Sequence, residues 1–296
     1  MILIKNEKHN CLRNRLDITD QTKLDDIEST LSYFRMIELD NAPIDKQFNL
    51  ENLQNIHKQL FQDTYDWAGQ LRMVNIHKGE TNFLPHTLIE QASQHLFTKL
   101  AKENNLQNLN TNNFSERAGY YLGEINHIHP FREGNGRTQR AFINQLARHN
   151  YFYITWEQVT AKQMIEASIA AETDDHHLLS QIIKLNIVDK DYLKATRAYT
   201  EQANINIKHA QTGGEYSGKI LGVTERYVVQ QLADNTDQII VHNRRYLARD
   251  VDNISHELKI RYLHGKIGLV TDVIKSDVNK TKDKSVNENT YNNYER

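Results

Sequence analysis

Residues 129–140, His129-Pro130-Phe131-Arg132-Glu133-Gly134-Asn135-Gly136-Arg137-Thr138-Gln139-Arg140, impose the tightest constraint on what this chain can become. Upstream, residues 115–128 place Ala118, Tyr121, Leu122, Ile125 and Ile128 at spacings of three and four, which predicts a helix delivering the chain to His129. Pro130 stops that helix. Downstream of Gly134-Asn135-Gly136, a run without Gly or Pro sets Phe142, Ile143, Leu146 and Ala147 on one face, so a second helix begins at Asn135 or Gly136. Its first-turn amides and the positive end of its dipole converge where two glycines let an anion approach. Arg137 and Arg140, three apart, can grip further phosphate oxygens. Glu133 offers a hard oxygen ligand suited to Mg²⁺. His129 is the one group in the stretch that titrates near neutrality, which makes it the candidate base.

Composition excludes several alternatives. With 39% apolar residues over 296 positions the chain can bury a core, and 36 basic against 38 acidic residues leave a net charge of −2. No global field draws it to nucleic acid or anionic lipid. One cysteine, Cys11, allows no internal disulfide and suits a reducing cytoplasm. The opening MILIKNEKHN is too short in apolar residues for a signal-peptide core, and no later stretch has the length of a membrane span.

Jointly, residues 129–140 resemble the Fic family signature, His-x-Phe-x-(Asp/Glu)-Gly-Asn-Gly-Arg-x-x-Arg, at every specified position. The resemblance implies a mainly α Fic-type helical bundle with a β-hairpin flap, and transfer of AMP from ATP to a Ser, Thr or Tyr hydroxyl of a protein with release of pyrophosphate. In that scheme His129 deprotonates the hydroxyl and Glu133 holds Mg²⁺. Gly134, Asn135 and Gly136 stabilise the α-phosphate, Arg137 and Arg140 hold the outgoing phosphates, and Phe131 anchors the loop. Residues 67–83 resemble the family's flap. Val74 and Ile76 alternate with polar residues and Lys78-Gly79 reads as a turn, so Val74, Asn75, Ile76, His77, Lys78, Gly79 and Glu80 are expected to dock an extended target by strand addition.

The remaining pattern is helical to about residue 200. Residues 21–39 carry Leu24, Ile27, Leu31, Phe34 and Met36 or Ile37 as an expected core stripe, and residues 49–61 and 86–103 give two further helices. Residues 157–171 set Val159, Met164, Ile165 and Ile169 inward, and Thr173-Asp174-Asp175 reads as the cap of a helix running through Ile187, which accounts for the neighbouring His176 and His177 without a metal. The organisation expected is a Fic domain over 1–200 with its core at about 45–190, a small β-rich domain over 201–275, and a polar tail over 276–296 too poor in apolar residues to fold. The β-rich part weakly resembles modules appended to plasmid-borne Fic and conjugation proteins, and by position the domain following Fic in type IV secretion effectors. Arg244, Arg245 and Arg249 are read as a solvated strand end rather than a nucleic-acid patch.

Many Fic proteins are restrained by a (Ser/Thr)-x-x-x-Glu-(Gly/Asn) helix whose Glu meets the second motif arginine, here Arg140. Glu28, Glu103 and Glu288 lack Ser or Thr four residues earlier, and Ser168 with Glu172 is followed by Thr173. The resemblance therefore implies a separate small antitoxin-like partner, or no such restraint. Three alternatives stay open: another phosphate-containing donor, a translocated effector acting on host GTPases, and a vestigial Fic module that only binds.

Overall fold

The computed structural model describes residues 11–79, 81–200, 202, 204–252, 254–263 and 265–272. The expectations placed on residues 1–10, on Glu80 and on the tail from Ser276 lie outside the described residues. The chain divides into two compact units, one ending at Lys190 and the other starting at Asp191. The division falls ten residues before the expected boundary because the side chains that follow Lys190 pack with strands, as described below.

In the first unit, α1 (Gln21–Asn41) and α2 (Leu50–Phe61) precede a two-strand hairpin, β1 (His77–Lys78) and β2 (Thr81–Asn82). A 3₁₀ turn at His86–Leu88 then leads into α3 (Ile89–Lys102). Next come α4 (Thr111–Ile128), α5 (Asn135–His149), β3 (Phe152–Ile154), α6 (Ala161–Ala171), α7 (His177–Asn186) and β4 (Ile187–Asp189). Side chains from all these helices and from β3 enter one apolar core, in which Phe114, Tyr121, Phe142 and Phe152 are fully enclosed. The expected core faces of α4 and α5 are the observed ones, since Tyr121, Ile125, Phe142 and Leu146 are all buried, and α2 buries Leu53, Ile56 and Leu60.

Two expected faces are corrected. The buried line of α1 is Leu24, Glu28, Ser32 and Leu39, whereas Tyr33, Phe34 and Ile37 face outward. A polar pair occupies the inner face because both residues have partners on α5, as shown below. On α6, Ala167 and Ala171 are buried and Ile165 and Ile169 are exposed, since the small residues allow close approach to the neighbouring helices. The pairing of β3 with β4, antiparallel and with Phe152 opposite Asp189, was not anticipated, and it ends α7 one residue earlier than expected.

Helix α7 lies against α4 along two glycines one turn apart. A Cβ built on Gly119 would sit 2.3 Å from Ser180 Oγ and 2.6 Å from its backbone nitrogen, and one on Gly123 would sit 2.4 Å from His176 Cδ2. Gly119→Ala gains about 1 kcal/mol of helix propensity but meets immovable backbone, an overpacking cost of about 1–3 kcal/mol. The expected outcome is a lower thermal unfolding midpoint, and an unchanged one would mean that the two helices are less closely packed.

In the second unit, α8 (Lys190–Thr200) is followed by β5 (Asn206–His209), β6 (Glu215–Val223), β7 (Tyr227–Leu232), β8 (Gln238–Asn243), β9 (Glu257–Arg261) and β10 (Leu269–Asp272). The six strands form one sheet ordered β10-β9-β6-β7-β8-β5, antiparallel except where β5 runs parallel to β8. One face buries Tyr227, Val229, Ile239 and Val241 with Ala195, Tyr192 and Tyr199 of α8, and this packing places α8 with the sheet. The other buries Ile220, Val228, Val251 and Leu258. Within the sheet, His242 is fully enclosed, with Nδ1 3.0 Å from the Tyr262 hydroxyl and Nε2 3.0 Å from Gln230 Oε1. Arg244 pairs with Asp250 and Asp252, and Arg249 with Asp272, so their charges are locally answered. Among the described residues no helix is long and apolar enough to cross a membrane.

Candidate active site

The site lies at the junction of α4 and α5. Helix α4 ends at Ile128, and His129 takes the left-handed backbone conformation (φ 45°) with its N–H donating to Ile125 O at 3.0 Å. That turn is uncommon for a residue with a side chain. The imidazole Nδ1 lies 3.1 Å from the Asn126 carbonyl. A carbonyl only accepts, so Nδ1 carries the proton and Nε2 keeps its lone pair. Phe83, just beyond the hairpin, stacks on the ring at 3.7 Å between centroids. Burial, with lesser contributions from the charges of Arg72 and Lys78, pulls the His129 pKa down to about 4. At neutral pH the ring is an uncharged base.

The loop from Pro130 to Gly134 is held internally. Asn135 closes it with both ends of its amide, Oδ1 accepting from Phe131 N–H at 2.9 Å and Nδ2 donating to Phe131 O at 2.7 Å. The Asn135 side chain, expected at the α-phosphate, is committed to loop closure. Gly134 caps α5 with φ 78° and no side-chain bond, leaving the first-turn amides of α5 without a side-chain cap. Its own N–H donates to Glu133 Oε1 at 2.9 Å. The exposed Glu133 carboxylate has its second oxygen without a partner among the described residues, and a hard oxygen donor beside the uncapped first-turn amides of α5 fits Mg²⁺.

The two arginines differ. Arg137 donates to Glu28 and, at 3.0 Å, to Ser32 Oγ, with its guanidinium 4.7 Å from the centre of the Phe61 ring. Glu28 also accepts from the Tyr65 hydroxyl, so a buried carboxylate ties α1 to the start of α5. Arg140 is half-buried and has no hydrogen-bond partner among the described residues. Desolvation and the neighbouring Arg137 lower its pKa. An unanswered guanidinium beside a helix N-terminus is a ready anion ligand.

The hairpin stands where the flap was expected, with His77 opposite Asn82 and Lys78 opposite Thr81. Val74, Asn75 and Ile76 form its root rather than its strand: Asn75 Oδ1 accepts from His86 N–H at 3.0 Å, and Ile76 O from Phe83 N–H at 3.3 Å. His77 and Lys78 are exposed, and Gly79 takes the turn with φ 59°.

His57 on α2 reads from the sequence as an ordinary surface or core histidine, and the structure places it in the core behind the site. It is fully buried, stacked on Phe131 at 3.9 Å, accepts from Gly69 N–H at Nδ1 (2.7 Å) and donates from Nε2 to Glu133 O (3.0 Å). Its only sequence signal was its spacing with Leu53 and Leu60 on the inward face of α2.

The match to known proteins follows this geometry. Residues 47–147 match the family model described as Fic/DOC family, and residues 215–271 one described as KfrB Domain. The chain is 36% identical over 171 residues to a probable protein adenylyltransferase Fic of Escherichia coli, covering 58% of this chain and 84% of that protein. The chain belongs to the Fic/DOC family. It is also 44% identical over 176 residues to protein adenylyltransferase VbhT of Bartonella schoenbuchensis, covering 60% of this chain but only 37% of VbhT. Among solved structures it is similar to the BepC protein of Bartonella tribocorum, a VirB-translocated effector with bound AMPPNP, at TM-score 0.61 and 25% identity, covering 63% of this chain and 96% of that one. The Fic fold therefore accounts for the helical bundle and the flap, and the sheet lies outside it.

Two buried histidines, one in the Fic core and one in the sheet, set an acid limit. Burial holds His57 at a pKa of about 4 and His242 at about 3. In the unfolded chain both titrate near the ordinary 6.5 or so, so between about pH 6.5 and 4 the unfolded state binds more protons and stability falls as pH falls. Each histidine accounts for a loss on the order of 3 kcal/mol by about pH 4. Denaturant midpoints for both units are expected to drop between about pH 7 and about pH 4.5, and equal midpoints would contradict the burial.

Proposed function

We propose that this protein transfers AMP from ATP to a Ser, Thr or Tyr hydroxyl of a target protein. The target oxygen attacks the α-phosphorus, its proton passes to His129 Nε2, and the bond to the bridging oxygen of the β-phosphate breaks as pyrophosphate leaves. The carrying observation is the His129 ring at the α4–α5 junction, whose Nδ1 is fixed on Asn126 O so that Nε2 is the unprotonated nitrogen. First-turn amides of α5 and the Arg140 guanidinium supply fixed positive charge for phosphate oxygens, which is preorganised stabilisation. Glu133 would hold Mg²⁺, which neutralises phosphate charge when bound. Arg137 supports the site from its pair with Glu28, and Val74 to Glu80 present the target. The names of the relatives and the nucleotide analogue bound by BepC support ATP as donor.

The site also favours restraint by a separate small inhibitory protein. Glu28 engages Arg137, not Arg140, so Arg140 stays available for an acidic residue brought by a partner. Chemistry is assigned to the core at about 45–190, an accessory role to the β-rich part, and the site of action to a cytoplasm, the protein's own or that of a recipient cell.

Purified protein incubated with α-labelled and, separately, γ-labelled ATP and Mg²⁺ in bacterial and in mammalian lysate tests the reading, with His129→Ala as control. Transfer of the α-label that disappears in the variant is expected. Transfer of the γ-label alone would replace AMP transfer with phosphate transfer, and the lysate that responds identifies the target class.

A further inference from the structure

Arg72 is 2% exposed, and no carboxylate among the described residues pairs with it. Burying a guanidinium is costly unless its donors are satisfied. Here backbone carbonyls alone satisfy them, and they come from two places. Nη1 donates to Val74 O at 2.8 Å and Nη2 to Leu84 O, the two residues from which the flap rises and to which it returns. Nε donates to His129 O at 2.8 Å and Nη2 also to Ile128 O at 3.2 Å. Ile128 closes α4, where unpaired carbonyls and the negative end of the dipole welcome a cation. Two backbone bonds run alongside, Arg72 N–H to Pro130 O at 2.9 Å and Leu84 N–H to His127 O at 3.2 Å.

Resting on the AMP-transfer reading, we propose that Arg72 is a positioning residue whose guanidinium locks both roots of the flap to the carbonyls of Ile128 and His129. A target laid along the flap then arrives in fixed register with the His129 ring. Only a planar fork with donors on three nitrogens spans all four carbonyls, so lysine is a poor substitute. The same bonds brace the left-handed turn at His129, a conformation that persists only where its surroundings enforce it.

The test uses Arg72→Lys and Arg72→Met in the full chain, each first shown to be folded by circular dichroism, with Arg72→Lys carrying the test if Arg72→Met does not fold. One readout needs no turnover: the His129 imidazole is followed by NMR through a pH titration, its resonance assigned by loss in His129→Ala. Its titration is expected to move upward in Arg72→Met, as a nearby positive charge and the enclosure of the ring are lost. The second is kinetic, a fall in kcat for target labelling on the order of 10- to 100-fold in Arg72→Lys with the KM for ATP within about 3-fold of wild type. An unaltered His129 titration together with unaltered kcat per folded molecule would overturn the proposal, leaving Arg72 a stabilising residue only. If wild-type protein transfers no AMP, the transfer reading fails while the NMR titration still decides whether Arg72 sets the His129 environment.

Discussion

His129→Ala is expected to remove target labelling by at least about 10³-fold while leaving the Fic core folded. The size follows from the loss of the ring that takes the proton in the proposed step, since general base catalysis contributes about 10²–10⁴-fold. The fold is expected to survive because the ring keeps some exposure and its one hydrogen bond, from Nδ1 to Asn126 O, stays within the same helix end. The backbone is the complication. His129 sits at φ 45°, where alanine costs on the order of 1 kcal/mol, so His129→Asn provides a second variant, because asparagine tolerates the left-handed region better. Both should be inactive with thermal midpoints close to wild type, measured by transfer of the α-label and by circular dichroism. Activity retained in His129→Asn beyond about one part in 10² would move the base elsewhere.

Protonation gives the same residue a second signature. A ring whose pKa is lowered to about 4 stays competent well below neutrality, so the acid limb of the labelling profile belongs near that value, provided the fold survives the protonation of His57.

What the sequence disclosed depended on whether an interaction was local. The α4-turn-α5 unit, the hairpin and the apolar faces of α2 and α5 are written in short-range periodicity and punctuation, and these are the parts the structure reproduces. Long-range polar pairing left no such mark. Glu28 and Ser32 looked like the outer face of α1, and only the fold reveals that Arg137, more than a hundred residues later, draws them inward and turns Phe34 and Ile37 out. The same applies to Arg72, which carries no signal of its own in the sequence and serves four carbonyls from separate segments. Asn135 and Arg137 show the converse limit: the motif names both, yet only the fold reveals that the Asn135 amide closes the loop and that Arg137 pairs with α1.

Gly134→Ala is expected to damage the fold and the anion site together. Two penalties add at this position. The backbone has φ 78°, which costs an alanine about 1–2 kcal/mol, and the new Cβ would lie 2.4 Å from Cε2 and Cζ of Phe61. Phe61 has nowhere to go, being fully buried with His57 on one side at 4.8 Å between ring centres and the Arg137 guanidinium on another at 4.7 Å. Overpacking of that kind adds about 1–3 kcal/mol. Relief can come only from moving the loop, and the loop carries Glu133, whose carboxylate accepts from Gly134 N–H, and the Gly134 carbonyl, which accepts from Thr138 N–H at 3.1 Å and Oγ1 at 2.9 Å. Displacing it shifts the first turn of α5 and the anion site with it, so nucleotide affinity should fall together with stability. Gly213→Ala separates the two penalties, because Gly213 has nearly the same backbone angle, φ 80°, with nothing within 4 Å of a built Cβ. That control is expected to lose only the backbone strain, whereas Gly134→Ala loses about twice as much or more in denaturant unfolding and no longer binds ATP in a calorimetric titration at concentrations that saturate wild type. Equal losses in the two variants would show that Phe61 yields, and would free the α5 anion site from its dependence on this packing.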